Sequence, residues 1–64
     1  MTTKEKFKYI SDHHHIFSQS IWTKVRLIKY EYKEKGNFTL EQENFINWLY
    51  PICEKRVKEL DSNF

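Results

Sequence analysis

Apolar residues return along the first half of the chain as Phe7, Ile10, Phe17, Ile21, Val25, Ile28 and Tyr32, at gaps of three, seven, four, four, three and four. At about 100° per residue they fall within an arc of roughly 80° on a helix. His14 fills the seven-residue gap in phase. The pattern therefore predicts one long helix over residues 3–35, with His14 on its apolar seam and His13 and His15 to either side. Thr2 and Glu5 have the spacing of a capping box at its start.

A second helical set follows: Phe45, Ile46, Leu49, Ile52, Cys53, Val57 and Leu60. Thr39 and Gln42 repeat the capping-box spacing, and Glu41 and Glu43 suit the positive end of a helix. A second helix is predicted over residues 40–61. Pro51 lies inside it and removes one backbone donor, so a bend is expected near Tyr50. Gly36-Asn37 is the strongest breaker; Gly36 is placed to end the first helix in a left-handed conformation, with a turn over 36–39. The last residues, Asp61 to Phe64, are expected to fray. The run KVRLIKYEYKEKGNFTL also alternates in part, which is the pattern of a β-hairpin. The helical stripe covers more residues, and the cap at Thr39 leaves the second strand too short.

The fold class expected is all-α, in one small domain spanning residues 1–64. At 1.5 Å per residue the two helices would measure roughly 50 Å and 33 Å, so a hairpin leaves the first overhanging. The first helix also carries a second apolar row, Tyr9, Ile16, Leu27 and Tyr30, and a helix apolar on two sides wants more than one neighbour. Both features point to a homodimer, a four-helix bundle made from two hairpins. The alternative is a monomeric three-helix bundle with the first helix broken near Ser18-Gln19-Ser20.

Composition sharpens this picture in three ways. The chain has 64 residues, a length at which only about 60% of the unfolded chain's surface is buried, so a stable monomer is marginal. Cys53 is the single cysteine, so no internal disulfide is available and a reducing, cytoplasmic compartment is expected. No run resembles a signal peptide or approaches the ~20 apolar residues of a membrane span. Nine lysines, six isoleucines and four asparagines against no alanine, one glycine and one proline suggest a low-GC genome, such as that of a Gram-positive bacterium, its phages or its plasmids. Residues 1–35 carry eight Lys/Arg and four Asp/Glu (+4), whereas residues 36–64 carry three and five (−2).

Candidate chemistry is sparse. A zinc site needs three or four convergent ligands. Asp12, His15 and Cys53 could contribute, but no His-x-x-x-His or Cys-x-x-Cys spacing is present, and no metal or other cofactor is expected. Cys53 on the apolar stripe reads as a buried small residue rather than a nucleophile. With no phosphate loop, no triad order and one glycine, an enzyme is not expected. The segment YKEKGNFTLEQENF could imitate a helix-turn-helix, but its second helix would meet phosphates with Glu41 and Glu43, and Gln42 stands where an apolar packing residue belongs.

One face of the first helix is more informative. Lys4, Lys8, His15, Arg26, Lys29 and Lys33 project into one wedge of roughly 60°, with Trp22 and without a carboxylate. Trp and Arg are typical interface anchors. The function expected is a non-enzymatic protein-binding module that inhibits or modulates a host protein, of the type mobile elements such as phages encode. Its partner would dock on Trp22, Arg26, Lys29, Lys33, Lys8 and Lys4. The alternative is a small nucleic-acid-associated regulator using the same basic face.

Overall fold

The computed structural model describes residues 1–62. The chain is helical, and no strand occurs among the described residues. Its elements are α1 (Thr3–Asp12), a single 3-10 turn (His14–Ile16), α2 (Gln19–Lys35) and α3 (Leu40–Ser62). The expected single helix over 3–35 is thus two helices, as in the three-helix alternative, with the break running from His13 to Ser18. The overhang that argued for a four-helix dimer disappears with it.

The break has a visible chemical basis. The end of α1 leaves carbonyls without helical partners, and two histidine rings take them. His13 donates from Nδ1 to the Tyr9 carbonyl at 2.8 Å, and His14 donates from Nδ1 to the Ser11 carbonyl at 3.0 Å. Because a carbonyl only accepts, both rings must carry their proton on Nδ1. The His13 N–H turns to Ile10 O at 3.2 Å, and the chain tightens into the 3-10 turn. Phe17 and Ser18 are extended, and α2 begins. Arg56 of α3 holds the connection, donating from Nη1 to the Ile16 carbonyl at 3.2 Å.

Splitting the helix lets both halves turn their apolar stripes toward α3. Phe7 and Ile10 from α1, Val25 and Ile28 from α2, and Ile46, Leu49 and Cys53 from α3 form one buried cluster. Phe17, Ile21, Trp22, Phe38, Phe45, Tyr50 and Val57 pack around it, half-buried. Tyr9 and Ile16, expected on an outward second row, join this inner shell; only Leu27 and Tyr30 of that row are exposed. Leu60, expected in the core, is exposed.

The remaining local expectations divide cleanly. Both capping boxes form. Thr2 Oγ1 accepts from Glu5 N at 3.2 Å while Glu5 accepts from Thr2 N at 3.3 Å. Gln42 N donates to Thr39 Oγ1 at 3.2 Å and Thr39 N to Gln42 Oε1 at 2.9 Å. The Gln42 amide also donates to Glu31, tying α3 to α2. Gly36 closes α2 at φ 76°, its N–H on the Tyr32 carbonyl at 2.7 Å. The α3 helix is continuous through Pro51, although Pro51 can donate nothing to the Asn47 carbonyl. It extends to Ser62; Asn63 and Phe64, in the segment expected to fray, lie outside the described residues.

Three substitutions test this local reading. A Cβ at position 36 would meet nothing within 4 Å. Gly36→Ala should therefore cost about 1 kcal/mol from the left-handed backbone alone. Thr39→Ala should cost a similar amount through its lost cap, about 1 kcal/mol. Ser18→Ala should stay within a few tenths of a kcal/mol, because the Ser18 side chain makes no capping bond. Urea unfolding of the three variants gives the comparison.

Candidate functional site: a basic-rimmed aromatic groove between α1 and α2

The break changes how the predicted basic face is built. Lys4 and Lys8 come from α1, and Lys29 and Lys33 from α2. They flank one hollow of about 390 Å³, whose other lining residues are Phe7, Ser11, Asp12, Tyr32 and Phe38. The floor is a short aromatic stack. The Phe38 ring lies 4.4 Å from Tyr32 and 5.4 Å from Phe7, centre to centre. Phe7 is buried in the core, so the floor is the outer edge of the fold itself.

A smaller hollow of about 170 Å³ adjoins it, lined by Trp22, Arg26, Lys29, Tyr30 and Lys33. Lys29 and Lys33 belong to both and form the wall between them. The two helices thus bring together all six predicted partner-binding residues: Lys4, Lys8, Trp22, Arg26, Lys29 and Lys33. They do so across an interhelix gap rather than along one helix. None of the five cations is in an ion pair among the described residues. Asp12 is the one carboxylate among the lining residues.

Two predicted members sit differently from expectation. Trp22 is not an exposed ring among cations. It is half-buried, packs against the core, and lies under the His14 imidazole with ring centres 4.2 Å apart and planes 24° from parallel. His14, expected on the apolar seam, is itself exposed and serves as a lid on Trp22. His15 leaves the basic face altogether and lines a separate hollow with Ile16, Arg56, Glu59 and Leu60. The sequence pattern also passed over Tyr30. It is 58% exposed beside Arg26, and it is the outward aromatic of this face. Its membership of an apolar row had marked it for a helical neighbour, whereas α2 already meets the core through Val25 and Ile28.

Among the described residues no group of three His, Cys, Asp or Glu converges on a point. Cys53 is fully buried, and burial pushes its thiol up to about 11 against a smaller lowering by Arg56. A thiol held in that state keeps its proton and stays out of nucleophilic reach. No helix among the described residues is long and apolar enough to cross a membrane.

No protein-family model, curated protein or solved structure matches this chain.

Two outcomes follow from this placement. Trp22→Ala should lower stability by roughly 2 kcal/mol, less than loss of a fully buried ring, and His14→Ala should increase quenching of Trp22 fluorescence by iodide. Cys53 holds its proton more tightly when folded than when unfolded. Its contribution is therefore intact below about pH 9 and declines as pH rises toward 11. Cys53→Ala should flatten that part of the alkaline stability profile, measured by urea midpoints across the range.

Proposed function

We propose that this chain is a non-enzymatic protein-binding module whose α1/α2 face docks an acidic, amphipathic segment of another protein, inhibiting or modulating it. The observation that carries the reading is the pair of adjoining hollows, with five cations around an aromatic floor and Asp12 as the one lining carboxylate. A segment with an apolar stripe and flanking carboxylates is complementary on both counts. Its apolar side chains fill the Phe7–Tyr32–Phe38 floor, and its acids meet Lys4, Lys8, Lys29 and Lys33. Hydrophobic contact supplies most of the affinity. The lysines, hydrated and mobile, raise the encounter rate and select against basic surfaces.

The wider setting we propose is cytoplasmic, among the small accessory proteins of mobile elements in low-GC bacteria. An unpaired thiol and the residue usage support that setting. The second reading, a small nucleic-acid-associated regulator, draws on Tyr30. It stands exposed beside Arg26, Lys29 and Lys33, where an unstacked base could lie on it.

A defined pair of probes separates the readings. One is a labelled amphipathic peptide with leucines on one face and glutamates on the other. The second is a single-stranded oligonucleotide. The protein-binding reading expects the peptide to bind more tightly at 150 mM salt and to lose at least tenfold with Lys29→Glu and Lys33→Glu together. Oligonucleotide binding stronger than peptide binding, with log K falling about 0.7 per contacted phosphate for each unit of log salt, would replace it with the second reading.

A further inference from the structure

The outer face of α3 carries a row that meets the core only at its edge, through Phe45. Glu41, Phe45, Trp48, Ile52 and Lys55 fall within an arc of about 80° at 100° per residue. The core is served from another side of the helix by Ile46, Leu49 and Cys53. Trp48 is 57% exposed, and its ring neighbour among the described residues is Phe45, with centres 6.0 Å apart. Phe45 and Ile52 are half-buried, while Glu41 and Lys55 are exposed. Lys24 of α2 stands over the Phe45 ring at 5.2 Å and borders the row on that side. An outward tryptophan between two apolar residues is the composition of an interface centre rather than of a solvated face.

The arrangement of charge says what fits there. Glu41 lies seven residues before Trp48 and Lys55 seven residues after it, about 10 Å to either side along the axis. A twofold axis through Trp48, perpendicular to α3, would set the Glu41 of each copy against the Lys55 of the other. The same operation would stack Trp48 on its counterpart and lay Phe45 over Pro51 and Ile52. A twofold interface must be complementary to itself, and this row is: opposite charges at equal distances from an apolar centre. A parallel pairing would set Glu41 on Glu41 and Lys55 on Lys55.

We propose that the α3 row Glu41–Phe45–Trp48–Ile52–Lys55 is the seam of an antiparallel homodimer, its occupant a second copy of this chain. The seam is about 20 Å long and three apolar residues deep. That places it at the small end of specific interfaces, so the dimer exchanges with monomer at micromolar concentrations. It lies on α3, apart from the hollows between α1 and α2, and does not depend on what those hollows bind.

Sedimentation equilibrium of the full chain from 5 to 500 µM tests the seam. The wild type is expected to be dimeric at the upper end of the range. Trp48→Lys should raise the dimer Kd at least tenfold with an unchanged helical signal, because Trp48 is 57% exposed and lies outside the buried cluster. Glu41→Lys and Lys55→Glu should each weaken the dimer several-fold, and the two together should return it to within about threefold of wild type. Glu41→Gln separates loss of the pair from the effect of a cation at the start of α3, and it should also weaken association. A wild type that stays monomeric to 500 µM overturns the proposal. So does a dimer indifferent to Trp48→Lys, or a double charge reversal no better than either single one.

Discussion

The rest of this structure depends on the buried meeting of three short apolar stripes around Ile10, Val25, Ile46, Leu49 and Cys53. Each of these side chains is almost wholly excluded from water. At about 25 cal/mol per Å² of apolar surface removed from water, the five side chains dominate what so small a chain can gain by folding. No single helix can gather them. They become buried together only when the first apolar segment is cut and both of its halves turn toward α3.

That requirement explains the histidines. Ending a helix leaves several carbonyls unpartnered, and leaving them unsatisfied near a core is costly. His13 and His14 answer two of them, at Tyr9 and Ser11, and His14 then covers the otherwise open face of Trp22. Arg56 reaches back from α3 to the Ile16 carbonyl and holds the connection against the far helix. Within a run that could suggest metal chemistry, His13 and His14 are the stopper of α1, each with its Nδ1 committed to a backbone carbonyl.

The same cut also shapes the surface. With α1 and α2 bordering one hollow, lysines far apart in the chain, Lys4 and Lys8 against Lys29 and Lys33, flank Phe7, Tyr32 and Phe38. The positive excess of the chain's first half is thereby gathered around one groove. The α3 helix, which must present one stripe to the core, retains a second, smaller stripe around Trp48. Basic groove and aromatic row are by-products of how the core is satisfied, and they share no residue.

Helix type, caps and turn were legible in the sequence because they depend on neighbours within four residues. The capping boxes at Thr2 and Thr39, the left-handed Gly36 and the 3.6-residue period need no knowledge of the rest of the chain. The identity of the basic residues was legible for the same reason, since charge is a property of residue type. What the local pattern could not reveal was the break at His13–Ser18. Ile10 and Phe17 stay in phase across it, so periodicity favours continuation, and only the chance to bury both halves against α3 favours the cut. The exposures of Trp22, Tyr30 and Trp48 depended on the same decision. A side chain's surroundings are set by the elements packed on it, and those were fixed when the tertiary core chose three helices over two.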